Sequence, residues 1–255
     1  MKLIIKSADY ALTKSVMYGI LHGTTDGMIT CTGLMTNFPW SKEAAELMAK
    51  NSHVCLGQDI NITVGRPVSD PALIPSLVTE DGTFKNSKFH RTAETDVVVY
   101  EEALIETEAQ VKKFIEFTGK NPEYIQSHAN KGSGKKIIGD AIAAIGKKYG
   151  IPDYTKAREN WYCPDIYTIP FTLEEQNKRR LVEDLITDKY GILTCGKDVV
   201  MLNLHAGYHD RDLEEVSSFT IVRIDDLEAA CSPKVRQWMK DNNIQLASFR
   251  DVDAD

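Results

Sequence analysis

Apolar and polar positions along the chain follow two alternating patterns. Short runs rich in apolar and β-branched residues, typical of strands, occupy residues 3–7, 28–37, 54–63, 124–127, 198–205 and 244–249. Segments with helical periodicity lie between them, at residues 13–22, 41–50, 95–119, 136–149, 173–190 and 225–242. This alternation is typical of an α/β protein with a mostly parallel sheet.

The number and spacing of the strands favour a barrel. About seven strands alternating with helices predict a distorted (β/α) TIM-like barrel, formed by residues 1–255 as a single domain. An open doubly wound sheet is the competing architecture. The first strand is not followed by a G-x-G-x-x-G or Walker loop, and this weakens the nucleotide-binding form of that alternative.

Composition and charge argue against several classes of partner. The formal net charge of −7 argues against nucleic-acid binding, which needs a basic face. No apolar run approaches the roughly 20 residues of a membrane span. The N-terminus MKLIIKSAD is interpreted as a first strand because it lacks a signal-peptide cleavage pattern. Five scattered cysteines without a C-x-x-C motif indicate reduced thiols in a cytoplasmic protein.

Polar side chains follow the predicted strands where these strands end. In a (β/α) barrel the active site is built at the C-terminal ends of the strands. The polar side chains at those ends are Asp9, Asn37, Asp59, Asn61, Gln126, His128, His205, Arg250 and Asp251. Two aspartates and two histidines at one mouth suit a divalent metal with an acid/base partner, because rigid strand ends can fix deprotonated ligands.

Each of these residues also has a purely structural interpretation. Asp9 is equally well placed to cap the first helix or form an Asx turn. Asp59 fits an exposed strand carboxylate, and His128 fits an ordinary loop histidine. His205 is harder to explain in this way, because it lies between an apolar strand and a glycine-containing turn.

Seven short motifs resemble a known family, the YdjC-like carbohydrate deacetylases. KSADYALTK (6–14) resembles the family's N-A-D-D-F-G-L-[ST]-K, and GQDINIT (57–63) resembles G-[LM]-H-[LF]-N-L-T. PSLVTEDG (75–82) resembles P-S-L-V-D-E-D-G, and YIQSHAN (124–130) resembles H-I-D-S-H-H-H. LHAGYHD (204–210) resembles C-H-P-[GA]-[FY]-x-D, followed by Ser218-Phe219 with Arg223, and SFRD (248–251) resembles S-Y-R-D.

The resemblance implies a metal-dependent hydrolase that removes N-acetyl groups from a small carbohydrate substrate, and a homodimer is plausible for the family. Residues carried over from the family motifs give a metal set of Asp9, Asp59 and His128. They make His205 the general acid or transition-state stabiliser, with Asp9 beside it in the catalytic site. The residues expected to bind the sugar are Asn61, Asn37, Tyr10, Arg223 and Arg250.

The departures from the family pattern bear on catalysis. Ala8 stands where the family has its general-base aspartate, and Asp59 stands where it has a ligand histidine. The oxygen-rich set favours Mg²⁺ or Mn²⁺ over Zn²⁺. We therefore expect a deacetylase with altered or reduced activity. The alternatives are a catalytically impaired paralogue that binds a carbohydrate or has a regulatory role, and a barrel enzyme of unrelated chemistry, such as an isomerase using Asp9 and Asp59.

Overall fold

The computed structural model describes residues 1–128, 132–168 and 172–254. Its strands are β1 (Lys2–Tyr10), β2 (Cys31–Leu34), β3 (Cys55–Ile60), β4 (Ile125–Ser127), β5 (Val199–Leu204) and β6 (Gln245–Ala247). Its α-helices are α1 (Lys14–Thr25), α2 (Ser41–Met48), α3 (Ser87–Thr92), α4 (Tyr100–Thr118), α5 (Lys135–Tyr149), α6 (Thr155–Arg158), α7 (Leu173–Lys178), α8 (Leu181–Ile186), α9 (Arg211–Val216), α10 (Ile221–Cys231) and α11 (Pro233–Asp241). Two short 3₁₀ helices span Pro71–Leu73 and Phe249–Asp251.

The strands form one six-stranded, mostly parallel sheet. Strand β1 pairs in parallel with β5 over residues 2–7 and with β6 over residues 2–4. Strand β3 pairs in parallel with β4, and Asp59 lies opposite Gln126 in that pairing. The predicted α/β fold with a mostly parallel sheet is confirmed.

The chain divides into two compact units, each built from separate stretches of sequence. Unit 1 comprises residues 1–32, 50–55 and 154–255, and unit 2 comprises residues 33–49 and 56–153. In unit 1, β1 is buried from Leu3 onward, and β5 and β6 pair with it. The prediction of a single domain stays a prediction.

The core of unit 2 brings together β3, α4, α5 and the segment between residues 65 and 91. Its buried apolar side chains include Ile60, Ile62, Ile74, Leu77, Phe84, Val111, Ile138 and Ile145. The segment 65–91 contains a 3₁₀ turn, the short helix α3 and a bridge between Val78 and Phe84. Its apolar side chains anchor it in the core.

Local sequence signals account for several helix ends. The Thr13 side chain, and not Asp9, accepts a hydrogen bond from the Val16 amide and caps α1. Helix α4 ends at Gly119 and α5 ends at Gly150, both in the left-handed conformation that glycine adopts without steric cost. Among the described residues, no helix is long and apolar enough to cross a membrane.

Two predicted helices are each divided in the structure. The helix predicted over residues 173–190 is broken into α7 and α8, because Arg179 is extended and its buried guanidinium pairs with Asp225 and Asp226. The helix predicted over residues 225–242 is broken into α10 and α11 at Ser232-Pro233. The Ser232 hydroxyl caps α11, and Pro233 stands at its first turn, where a missing N–H costs nothing.

Candidate active site

The end of β1 carries the first predicted site residue, Asp9, in a strained conformation. Asp9 and Ala11 have φ values of 71° and 79°. Left-handed backbone costs residues with a Cβ roughly 1–2 kcal/mol, and such strain tends to cluster at functional sites. The Asp9 carbonyl accepts a hydrogen bond from the Leu12 amide at 2.9 Å, so the turn closes tightly onto α1.

A buried ion pair joins Asp9 to α10. Arg223 Nη2 donates to Asp9 Oδ2 at 2.7 Å, and both side chains are almost fully buried. The same guanidinium donates from Nε to the Phe219 carbonyl at 2.8 Å and from Nη1 to the His205 carbonyl at 3.5 Å. Arg223 therefore connects the end of β1 with the segment that follows β5.

That segment, residues 205–208, is held by three elements of unit 1. The Ala206 amide donates to Ser7 Oγ at 2.9 Å, the Gly207 amide to the Arg223 carbonyl at 3.1 Å, and the Tyr208 amide to the Ser15 carbonyl at 3.2 Å. A Cβ added to Gly19 would lie 2.5 Å from the Gly207 Cα, so glycine allows α1 to approach the segment. These hydrogen bonds hold in place the backbone that follows His205.

His205 belongs to a group of polar side chains that we call the histidine cluster: His205, Tyr167, Asp226, Arg179 and Asp225. His205 Nδ1 lies 2.9 Å from the Tyr167 hydroxyl, which in turn hydrogen-bonds Asp226 Oδ2. The His205 amide donates to the same Oδ2 at 2.7 Å. Arg179 Nη1 donates to Asp226 Oδ1 at 2.6 Å and to Asp225 Oδ2 at 3.0 Å.

Burial sets the protonation of the histidine cluster. The loss of hydration around His205 lowers its pKa from 6.5 to about 4, so the imidazole is neutral at pH 7. Burial, together with the negative charge of Asp226, raises the pKa of Tyr167 well above its ordinary value, and its hydroxyl keeps its proton. Burial also raises the pKa of Asp225, and the neighbouring Arg179 opposes that change.

In unit 2, Asp59 is fully buried in β3. Its Oδ1 accepts a hydrogen bond from Nε2 of Gln126, the residue opposite it on β4. The resemblance pairs these two positions with a histidine and an aspartate of the family. In that pair the histidine can donate to the aspartate, whereas here Asp59 accepts from Gln126. The two substitutions are therefore chemically compatible with one another.

Asp59 also packs directly on the backbone of β2. A Cβ on Gly33 would lie 2.0 Å from Asp59 Oδ1. Gly33→Ala is therefore expected to displace the carboxylate and lower the free energy of unfolding by about 1–3 kcal/mol, as overpacking does. Chemical denaturation measures this change. Gly139→Ala on the exposed face of α5 is the control. Apart from the adjoining helix backbone, no atom of the described residues lies within 4 Å of its added Cβ, and the change should stabilise by about 0.5–1 kcal/mol. A Gly33→Ala protein as stable as the wild type would contradict this interpretation.

Asn37 and Asn61, predicted to bind sugar, hold the loop after β3. Asn61 Nδ2 donates to Asn37 Oδ1 at 3.0 Å and to the Val64 carbonyl at 2.7 Å. Asn37 Nδ2 donates to the Val64 and Arg66 carbonyls at 3.1 Å. The contacts that the structure shows for these two side chains are thus with the protein backbone, with each other and with the Thr63 hydroxyl.

The remaining predicted residues have varied surroundings. Tyr10 is completely buried, whereas Arg250 is exposed and donates to the Ser52 and Val54 carbonyls, at 2.8 Å each. His128 follows β4 directly, is partly buried, and donates its amide to the Ile60 carbonyl at 2.8 Å. Its motif neighbours Ala129 and Asn130 lie outside the described residues.

In each unit, several polar residues with hydrogen bonds to predicted residues or their partners were not identified from the sequence. In unit 1 these are Tyr167, Arg179 and Asp226. In unit 2 they are Gln110 and Glu106, which are fully buried on α4. The Gln110 side chain makes two hydrogen bonds to the Asn61 backbone: it accepts one from the amide at 3.0 Å and donates one to the carbonyl at 2.6 Å.

The resemblance implies a metal held by Asp9, Asp59 and His128. Across residues 1–128, 132–168 and 172–254, no group of three or more histidine, cysteine, aspartate or glutamate side chains could hold a metal ion. Asp9 accepts from Arg223, and Asp59 accepts from Gln126. Both carboxylates of the implied set thus accept hydrogen bonds from protein groups, and the metal set of Asp9, Asp59 and His128 stays a prediction.

Comparison with known proteins shows which family the chain is similar to. The family model described as "YdjC-like protein" matches residues 2–241. "Carbohydrate deacetylase 2" of Listeria innocua is 32% identical over 259 aligned positions, covering 99% of each chain. "Carbohydrate deacetylase" of Clostridium beijerinckii is 27% identical, covering 99% of this chain and 100% of its own.

A solved structure shows the same fold. A protein of Enterococcus faecalis V583, named for cellobiose-phosphate cleavage, matches with a TM-score of 0.80 and 22% identity over 98% of each chain. Since the family model covers nearly the whole sequence and the Listeria protein aligns end to end, this chain belongs to the YdjC-like protein family.

Proposed function

We propose that this protein is a hydrolase that removes N-acetyl groups from an acetylated sugar or oligosaccharide. The observation that carries the proposal is the histidine cluster. A histidine fixed by a tyrosine and a buried aspartate lies at the C-terminal end of the parallel strand β5, in a chain whose relatives are named carbohydrate deacetylases. A side chain oriented in this way is what general acid–base catalysis requires.

His205 supplies both proton transfers in this proposal. Its imidazole is neutral at pH 7 because burial lowers its pKa to about 4. It therefore begins the reaction as a base and takes a proton from the attacking water, whose oxygen bonds to the acetyl carbon. When the tetrahedral intermediate collapses, the C–N bond breaks and the imidazolium returns that proton to the departing amine. Acetate and a free amino sugar result, and His205 is neutral again.

The use of His205 as both base and acid is consistent with the presence of Ala8 where the family has its general base. Ala8 is buried and has no group that can accept a proton, although the family places its general base there. His205 is neutral at pH 7 and can accept this proton, whereas a cationic histidine could not deprotonate water. This assignment extends the role of general acid or transition-state stabiliser that the resemblance implies.

A metal requirement remains part of the proposal. A divalent ion at the predicted Asp9, Asp59 and His128 set would supply Lewis-acid activation of the acetyl carbonyl. The predicted preference for Mg²⁺ or Mn²⁺ over Zn²⁺ is tested by elemental analysis of the purified protein and by assays with each ion after chelator treatment. One tightly held zinc per chain would contradict that preference.

The second candidate is a carbohydrate-binding or regulatory protein without turnover. Ala8 and Asp59 favour it, because they replace the family's base and one of its ligand histidines. Acetate release from N-acetylglucosamine, N,N′-diacetylchitobiose, longer acetylated oligomers and their phosphorylated forms separates the two candidates. Acetate from any of these supports the hydrolase. Sugar binding detected by calorimetry, with no acetate at any metal condition, supports the binding protein.

Restoring the missing base offers a further test. Ala8→Asp is expected to increase kcat for acetate release by about 10²-fold, the lower end of the general-base range. Ala8→Asn is the matched control, because it has nearly the same size but cannot accept the proton, and it should give no increase. An equal kcat for the Asp and Asn variants would contradict the view that a missing base limits this enzyme.

A further inference from the structure

We infer that Tyr167 is a positioning residue that holds His205 in the tautomer with its proton on Nδ1. This leaves the Nε2 lone pair as the atom that exchanges protons with the substrate. The role of Nε2 rests on the proposed function, whereas the tautomer itself does not.

The hydrogen-bond partners of the Tyr167 hydroxyl lead to this assignment of the tautomer. A phenol has one proton to donate, and Oη contacts two atoms, Asp226 Oδ2 and His205 Nδ1. Asp226 is paired with Arg179 at 2.6 Å and also accepts from the His205 amide at 2.7 Å, so its carboxylate is an acceptor. The hydroxyl proton therefore points to Asp226, and the tyrosine oxygen presents a lone pair to His205. Nδ1 must then be the donor in that contact.

Packing fixes the tyrosine ring in the orientation that this requires. The Arg179 guanidinium lies 5.0 Å from the Tyr167 ring centroid, on the face of the ring. The Phe219 ring centroid lies 5.0 Å from Tyr167 and 5.0 Å from His205. The Tyr167 amide also donates to Asp165 Oδ1 at 3.1 Å, which fixes the backbone before the ring. Removing only the hydroxyl should therefore leave the ring in place.

Tyr167→Phe isolates the hydroxyl. The variant retains the contacts of the ring with Arg179 and Phe219 but takes away the acceptor for His205 Nδ1. Its imidazole should then populate the Nε2–H tautomer, which has no lone pair at the atom that must deprotonate water. We expect kcat to fall by about 10–10²-fold with KM nearly unchanged, because the hydroxyl contacts Nδ1, whereas Nε2 is the atom assigned to proton transfer.

The tautomer is measured without substrate by ¹⁵N NMR of the histidine rings in the full chain at pH 7, with His205→Gln used to assign the His205 signals. The expected result is Nδ1–H in the wild type and a substantial Nε2–H population in Tyr167→Phe. Tyr162→Phe is the control: its hydroxyl donates to the Tyr190 carbonyl at 2.6 Å, so its loss should not alter the His205 signals. Nε2–H in the wild type, or an unchanged His205 spectrum in Tyr167→Phe, would overturn the inference. Failure of the acetate assay alone would count against the proposed function instead.

Discussion

Replacing His205 by glutamine is expected to reduce kcat for acetate release by about 10²–10⁴-fold, the usual contribution of a positioned acid/base group. Glutamine fills much of the same volume but cannot carry a proton between water and amine. KM should change little, because in this account the imidazole acts on the proton and contributes little to ground-state binding of the sugar. Initial rates on the best sugar of the assay panel, with fold monitored by circular dichroism, measure the effect.

His53→Gln is the matched control, because His53 is exposed and its ring Nε2 lies 2.9 Å from the Thr24 carbonyl, outside the histidine cluster. Its kcat should equal that of the wild type. The pH profile adds an independent check. Since the base must be neutral and its pKa is about 4, kcat/KM of the wild type should stay level at mildly acidic pH and fall only below about pH 4. A His205→Gln enzyme within twofold of the wild type would contradict the assignment.

Replacing Arg223 by methionine should destabilise the protein by about 3–5 kcal/mol, the range for a buried ion pair that loses one partner. Asp9 is 1% exposed, so its carboxylate would stay buried with the charge that Arg223 now balances at 2.7 Å. The Phe219 and His205 carbonyls would each lose a donor as well. Urea unfolding followed by circular dichroism measures the difference.

Arg211→Met serves as the control for Arg223→Met. The Arg211 side chain is 91% exposed and 3.8 Å from Glu215, and a surface pair of this kind contributes about 0–1 kcal/mol. Adding Asp9→Asn to Arg223→Met removes the unpaired charge, so the double variant should regain part of the lost stability. Equal stability of the Arg223 and Arg211 variants would show that the buried pair does not hold the site together.

The sequence predicted those parts of the fold that depend on local patterns. The alternation of apolar strands and periodic helices predicted the α/β class, and Thr13 and Gly150 are local signals at helix ends of the structure. The two divided helices were missed for different reasons. Ser232-Pro233 is a local stop signal, whereas the break at Arg179 exists because its guanidinium pairs with aspartates 46 and 47 residues away.

The site was predictable to the extent that its residues stand at strand ends. His205 was identified because an apolar strand leads into it, whereas Tyr167 and Asp226 were not. These two come from a loop and from the middle of a helix, and only the folded chain brings them to the same imidazole. Asn37 and Asn61 show the opposite case, since polar strand-end residues can also serve to hold a loop. The roles assigned to Asp9, Asp59 and His128 stay predictions.

The most direct test of the account is a count of products from acetylated sugars. The wild type, supplied with Mg²⁺ or Mn²⁺, is incubated with each sugar of the panel, and released acetate and newly formed primary amine are both quantified. The account predicts equal molar amounts of the two products from at least one sugar, and formation about 10²–10⁴-fold slower with His205→Gln. Folded wild-type protein that binds a sugar but yields neither acetate nor amine would contradict it.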